Sequence, residues 1–169
     1  MDTLIKRLVS RRLTSVIHGS SHHAAYLYPA KQKGHLFNTL INYGENHYDS
    51  PSSDSSVHAE IHACRKVARK HRSRVNKRRK REYNLVVVRT SKSGSSLGMS
   101  RLCERCVIGV SNMPAISGIK IKKIFYSSET GDIVQTTVSK MIDMSDHHLS
   151  SYSRNNGYKS TLKCSCGCD

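Results

Sequence analysis

Two short segments of the 169-residue chain combine metal-ligating side chains with a carboxylate that can move protons. The first reads V-H-A-E at 57–60, and the second reads C-E-R-C at 103–106. A catalytic zinc is typically held by three protein ligands, with a fourth position left for water. One imidazole and two thiols form such a set, so we expect one Zn²⁺ per chain. The expected ligands are His58, Cys103 and Cys106.

The spacing of these residues suits a catalytic site. Cys103 and Cys106 are three residues apart, so both thiols can face one way from the first turn of a helix, where backbone N–H groups favour thiolates. Glu60 follows the histidine ligand by two residues and can approach bound water without ligating the metal. The alternative is a structural zinc, in which His62 or Cys64 is a fourth ligand. Glu60 favours the catalytic interpretation, because a structural zinc does not need a carboxylate at that position.

The H-A-E and C-x-x-C motifs, with the order of the elements expected around them, resemble the zinc-dependent cytidine-deaminase-like superfamily, which includes CMP/dCMP-type deaminases. The resemblance covers roughly residues 3–140. It implies an α/β fold, a three-layer sandwich with a central mixed sheet flanked by helices. It also implies zinc-dependent hydrolytic deamination, in which a cytosine or adenine base of a nucleotide or nucleic acid becomes its oxo form and ammonia is released.

The same resemblance assigns roles to individual residues. Glu60 is implied as the catalytic proton shuttle. Asn46 lies where relatives place an asparagine that contacts the bound nucleoside, although Asn42 competes for that role. Leu102 departs from the family pattern, because relatives usually carry proline just before the first cysteine. The preceding loop at 91–101 is also longer than usual, so a flexible pocket wall is expected there.

The net charge of +16 is concentrated in one stretch. Residues 65–81 contain 11 of the 28 Lys and Arg residues and no acid. Such a run favours salt-sensitive contact with a nucleic-acid backbone, or a nuclear-localisation patch, over a merely solvated helix end and loop. The candidate nucleic-acid contacts are Arg65, Lys66, Arg69, Lys70, Lys77, Arg78, Arg79, Lys80 and Arg81.

Hydrophobic periodicity predicts alternating strands and helices. Residues 3–17 have apolar side chains at helical spacing and flanking arginines, which indicates a core-packing first helix or, alternatively, a mitochondrial presequence. Two further helices are expected to begin near Ser56 and near Cys103. Residues 133–142 are compatible with strand or helix, and 42–56 is expected to be a polar loop. The predicted strands are 23–28, 37–43, 84–89 and 119–126.

These elements predict one zinc domain over residues 1–146, with a basic insertion at 65–82. A flexible tail with little fixed structure is expected over 147–169. Its closely spaced cysteines suit at most a loose site for a soft metal. They are Cys164, Cys166 and Cys168.

The sequence indicates neither a membrane-spanning nor a secreted protein. No apolar run approaches the roughly 18–20 residues of a membrane span. No secretory signal is visible, so a nuclear or cytoplasmic protein is expected.

The alternative function is a catalytically inactive, zinc-containing module that binds nucleic acid. The sequence leaves open whether the base is cytosine or adenine, whether the substrate is a mononucleotide, DNA or RNA, and whether the chain forms a homo-oligomer.

Overall fold

The computed structural model describes residues 22–31, 42–48, 56–72, 81–91 and 96–162. The predicted helix at 3–17 and most of the predicted strand at 37–43 lie outside these ranges. The cysteines of the tail also lie outside them.

Strands and helices alternate along the described chain, as predicted. The strands are β1 (His22–Pro29), β2 (Asn42–Glu45), β3 (His47–Tyr48), β4 (Ser56–Val57), β5 (Arg81–Thr90), β6 (Leu97–Gly98), β7 (Ile119–Ser127) and β8 (Ile133–Thr136). The helices are α1 (Ala59–Arg72), α2 (Glu104–Ser117), α3 (Val138–Ile142) and α4 (Ser151–Asn155).

Within the described residues, six strands form one sheet. The order is β2-β1-β5-β7-β8, with β6 paired to the end of β5, and β3 and β4 form a separate ladder. Strands β5 and β7 run parallel and are joined through α2, since a parallel pair needs a crossover connection. The other pairs in this sheet are antiparallel. The sheet is therefore mixed, and with its helices it forms the α/β sandwich that the sequence predicts.

Strand β5 is buried on both of its faces. Leu85 and Val87 pack in the same core cluster as apolar residues of α1 and α2, whereas Val86 and Val88 pack on the opposite face. This division follows from the alternation of side chains along a strand. The predicted apolar strand at 84–89 is confirmed, and it carries the face on which the motif-bearing helices lie.

Helix α1 is fixed against the edge strand β2 by a close backbone approach. A Cβ atom added at Gly44 would lie 2.2 Å from the Ala59 carbonyl oxygen and 2.4 Å from the Ala63 nitrogen. Only glycine fits at this distance. The packing therefore sets the position of the first turn of α1, which directly follows His58.

The structure corrects or refines three predictions about local structure. The segment 42–56 is not simply a loop, because it contributes β2, β3 and β4. Residues 133–142 contain both a strand and a helix, and the Thr137 side chain accepts a hydrogen bond from the Lys140 N–H at the helix start. The tail is not without fixed structure as far as Leu162, since α4 forms within it and later residues bond to α2.

Candidate metal centre

The starts of α1 and α2 bring the three predicted ligands together. His58 immediately precedes α1, Cys103 occupies the extended position that precedes α2, and Cys106 lies in the first turn of α2. The Nδ1 atom of His58 is 3.3 Å from each of the two sulfur atoms. The three donor atoms all lie within 4.8 Å of one another.

This donor set fits a zinc ion. Zinc bonds of about 2.0–2.1 Å to nitrogen and 2.3 Å to sulfur, in tetrahedral geometry, place the two donors about 3.5 Å apart. The nitrogen–sulfur separations of 3.3 Å are close to that value. Thiolates with an imidazole also suit zinc better than they suit Mg²⁺ or Ca²⁺, which prefer oxygen ligands. The residues present therefore form a zinc-compatible site.

The cluster favours the ionised form of one cysteine. The hydrogen bond from Cys106 lowers the pKa of the Cys103 thiol, and the same bond raises the pKa of Cys106 because the two sulfurs share one proton. The hydrogen bond with Cys103 raises the pKa of His58. Both thiols are almost fully buried, at 4% and 2% exposure. A thiolate with low exposure and neighbouring donors is a strong metal ligand.

Glu60 lies beside the cluster and is 3% exposed. Burial raises the pKa of its carboxyl to about 7, an effect that the charge of His58 partly opposes. Its Oε2 atom has no hydrogen-bond partner among the residues that the structure describes. Buried polar atoms are nearly always paired, so an unpaired carboxylate oxygen beside a metal-ligand set indicates a role toward a bound group.

Neither candidate for a fourth protein ligand joins the cluster. The Nδ1 atom of His62 contacts backbone atoms of Glu45, at 3.2 Å from its nitrogen and 3.0 Å from its oxygen. Cys64 is fully buried among apolar residues of the core, and burial raises the pKa of its thiol to about 12. In the described part of the chain the cluster has three ligands, the number that a catalytic zinc uses.

Asn46 lies at the entrance to the first turn of α1. Its Oδ1 atom accepts a hydrogen bond of 2.8 Å from the backbone N–H of Ala59, one of the N–H groups that a helix start leaves unpaired. The residue itself is exposed. Asn42 instead accepts a bond from the N–H of Tyr43 within β2. Of the two asparagines, the structure thus brings Asn46 next to the residues that follow His58.

The loop before Cys103 is fixed by a pair of buried serines. The Ser100 hydroxyl donates to the carbonyl of Val87 at 2.8 Å, and the N–H of Ser127 donates to the Ser100 hydroxyl at 2.7 Å. Leu102, next to the first cysteine, is 1% exposed and belongs to the main core. The part of the loop that leads into Cys103 is therefore held by hydrogen bonds and burial, although a flexible wall was the expectation.

The C-terminal segment is also bound to this helix start. The backbone N–H of Glu104 donates to the His148 carbonyl at 2.8 Å, and Arg101 forms an ion pair of 2.9 Å with Asp146. The Oε1 atom of Glu104 accepts bonds from the Thr161 N–H at 2.6 Å and from the Thr161 hydroxyl at 2.7 Å, and a third bond from the next N–H in the chain. Residues on both sides of Cys103 thus fasten the segment.

Two further histidines interact electrostatically with the cluster. His23 and Arg89 are direct cross-strand partners in β1 and β5. Burial, followed by the charges of Arg89, His58 and His148, lowers the pKa of His23 to about 4. Burial also lowers the pKa of His148, whereas Cys103 raises it. The charge of His58 contributes to the lowered pKa of both histidines, so both lie within electrostatic range of the metal-ligand set.

Sequence reasoning missed several of these supporting residues. The missed residues are His23, Ser100, Glu104, Ser127 and His148. Their partners are distant in the sequence, so neither spacing nor composition pointed to them. Glu104 alone offered a signal, since it lies inside the C-x-x-C motif and its acid group is on the first turn of a helix.

The basic run is only partly described. Its first residues, including Arg65, Lys66, Arg69 and Lys70, lie in α1, and Arg81 begins β5. Arg65, Arg69 and Lys70 are exposed, and Lys66 is partly buried. The predicted contacts Lys77, Arg78, Arg79 and Lys80 lie outside the described residues.

No protein-family model, curated protein or solved structure matches the chain. The structure itself shows a His-Cys-Cys cluster that is compatible with a zinc site, and a mixed sheet with helices. Across the described ranges, the helices are all too short or too polar to cross a membrane.

Proposed function

We propose that the protein is a zinc-dependent hydrolytic deaminase that converts a cytosine or adenine base, in a nucleotide or nucleic acid, to its oxo form. The observation that carries the proposal is the position of Glu60. A buried carboxylate with an unpaired oxygen lies beside three zinc-compatible ligands. A purely structural zinc site would gain nothing from such a group, and burying it without a partner costs about 1–3 kcal/mol or more.

The chain's own residues divide the work of this reaction. His58, Cys103 and Cys106 would hold the zinc, which supplies Lewis-acid activation of a water nucleophile near neutral pH. Glu60, with a pKa of about 7, can accept a proton at Oε2 and release it again at ordinary pH. In the net reaction one water is consumed, the exocyclic C–N bond breaks, a C=O bond forms and ammonia leaves.

The surroundings of Glu60 support this role. Low exposure excludes bulk water and strengthens electrostatic interactions within the site.

The amide of Asn46 keeps its N–H groups for other contacts, because its bond to α1 uses only the oxygen. Asn46 is therefore the proposed contact to the sugar of the substrate.

The test compares the zinc-loaded full chain with Glu60→Gln. A mixture of nucleosides, mononucleotides and single-stranded DNA and RNA oligomers is incubated at low salt, and mass spectrometry detects the exchange of an amino group for oxygen. We expect the Glu60→Gln rate to be at least about 100-fold lower, the usual contribution of a general acid–base. The zinc content should stay at one per chain.

The matched controls separate proton transfer from metal binding. Glu129→Gln makes the same chemical change in an exposed turn and should leave the rate and the zinc content unchanged. Cys103→Ser should reduce both. Near-normal turnover by Glu60→Gln would refute the mechanism. A wild-type protein that binds one zinc but converts no base would favour the inactive nucleic-acid-binding module instead.

A further inference from the structure

One face of α1 leads directly from the metal-ligand set toward the basic run. His62, Lys66 and Lys70 follow His58 at steps of four residues, which places them on one side of a helix. The step from His58 to His62 is part of the helical hydrogen bonding, since the His62 N–H donates to the His58 carbonyl at 3.0 Å. At 1.5 Å per residue, the row extends about 18 Å from the ligand.

Strand β2 places an aromatic side chain beside this row. The close approach at Gly44 holds the strand against α1. The Lys66 ammonium donates to the carbonyl of Tyr43 at 3.3 Å and lies 4.8 Å from the centre of its ring. The Tyr43 ring also stacks with Tyr26, with centroids 6.5 Å apart, and the side chain is 45% exposed, so part of it remains accessible beside the lysine. Nearer the metal ligands, the rings of His47 and His62 contact each other with centroids 4.2 Å apart.

The charged side chains of α1 after Glu60 are all basic. Arg69 and Lys70 are exposed on the turns after Lys66, and the sequence contains no acid between residues 61 and 81. Cations beside an accessible aromatic ring are the combination with which proteins hold single-stranded nucleic acid, since phosphates pair with the cations and a base stacks on the ring. We call Tyr43, Lys66, Arg69 and Lys70 the α1 track.

We propose that the α1 track binds the strand that flanks the target base, so that the substrate is a single-stranded nucleic acid. The proposal rests on the proposed function and specifies its substrate class. Lys66 and Lys70 lie about 12 and 18 Å along the helix from the metal ligand His58, which is several nucleotide spacings of about 3.4 Å and farther than the phosphate of one bound nucleotide extends from its base. The row begins at a metal ligand, which connects the bound strand with the reacting base.

The first test measures the salt dependence of binding. A fluorescent 20-mer, as single-stranded DNA and separately as RNA, is titrated with the zinc-loaded full chain at several salt concentrations. The track variant carries Lys66→Gln, Arg69→Gln and Lys70→Gln. Each phosphate contact adds about −0.7 to the slope of log affinity against log salt, so losing three should make the slope shallower by about 2.

A matched variant removes the same net charge elsewhere. Lys120, Lys123 and Lys140 are exposed and lie on β7 and α3. Their joint replacement by glutamine should change the salt slope by much less than the track variant does. Equal changes in the two variants, or no change in either, would overturn the proposal, because the effect would then come from net charge or from another surface.

Tyr43 supplies the second test. Base stacking on an aromatic side chain contributes enough that Tyr43→Ala should weaken binding roughly 5- to 150-fold at every salt concentration. Tyr43→Phe keeps the ring and should bind like the wild type. Tyr43→Phe should unfold at the wild-type temperature because it keeps the ring contacts with Tyr26 and Lys66, and binding by Tyr43→Ala is measured well below its own unfolding temperature. Wild-type affinity in Tyr43→Ala would contradict the stacking role.

Turnover separates this proposal from the one on which it rests. If both hold, the track variant loses oligomer conversion while keeping any conversion of mononucleotides. Mononucleotide conversion without track-dependent oligomer binding would overturn the track and leave the deaminase proposal standing. Track-dependent oligomer binding without conversion of any base would support the α1 track and overturn the deaminase proposal. The DNA and RNA arms show which strand is preferred.

Discussion

The bond network of Glu104 predicts that one neutral substitution will release the C-terminal segment from α2. Burial alone would raise the pKa of this carboxyl, but hydrogen bonds from Thr161 and neighbouring residues hold it below the usual value. The carboxylate is therefore ionised at neutral pH and accepts three bonds through Oε1. Glu104→Gln keeps an acceptor oxygen in place but removes the charge.

The size of the effect follows from the difference between charged and neutral acceptors. A hydrogen bond to a charged group contributes about 1.5–3 kcal/mol, against about 1 kcal/mol for a neutral pair. Thr161 is exposed, so water competes for these donors, and the smaller difference of about 0.5 kcal/mol per bond applies. Three bonds then give about 1.5 kcal/mol, which corresponds to a roughly 10-fold larger population of the opened segment.

Amide hydrogen exchange measures this opening directly. We expect the N–H groups of Thr161 and Leu162 to exchange roughly 10-fold faster in Glu104→Gln, while amides of β5 keep their protection. Glu129→Gln, at an exposed turn, should leave both rates unchanged. If exchange at Thr161 and Leu162 did not accelerate, the carboxylate would not be what holds the segment, and the reasoning from bond energies would be refuted.

Two further predictions concern stability. Burial and Arg89 lower the pKa of His23 to about 4, so between pH 6.5 and 4 the unfolded chain binds a proton that the folded chain does not bind. The free energy of unfolding should therefore fall by up to about 3 kcal/mol as the pH falls over that range. Urea unfolding of His23→Gln should show a correspondingly flatter pH dependence, and an unchanged pH dependence would contradict the assignment. Gly44→Ala places a methyl group against the backbone of α1 and should lower the free energy of unfolding by at least about 1–3 kcal/mol; a wild-type melting temperature would mean that β2 can move away from α1 at no cost.

The metal-ligand set could be predicted because its signals are local. The pair of cysteines at the start of α2 depends on a three-residue spacing and on helix geometry, both of which the sequence displays. Glu60 is likewise placed by its distance of two residues from His58. The apolar strand at 84–89 was recognisable for a similar reason, since an unbroken hydrophobic run of that length indicates a strand buried on both faces.

The elements that sequence reasoning missed depend on partners far along the chain. Strand β2 lies in a polar stretch and is stabilised by pairing with β1 and by the glycine contact with α1, neither of which composition reveals. The order of the C-terminal segment depends on Glu104, whose bonded partner Thr161 lies 57 residues away. Local propensity predicts little structure in such Ser- and Asn-rich segments, and tertiary contacts override it.

Leu102 stands directly before the ligand Cys103, so the way its backbone is held bears on whether the site can be active. Proteins that the motifs resemble usually carry proline at this position, so its absence predicts a less rigid loop before Cys103, and a loop that cannot hold the site would favour the inactive module. Proline would fix the backbone through its ring. Leu102 instead anchors the same position by burying its side chain in the core at 1% exposure, and the bonds of Ser100 hold the chain just before it. Burial thus provides the restraint that the missing proline would have given, so this departure does not favour the inactive alternative.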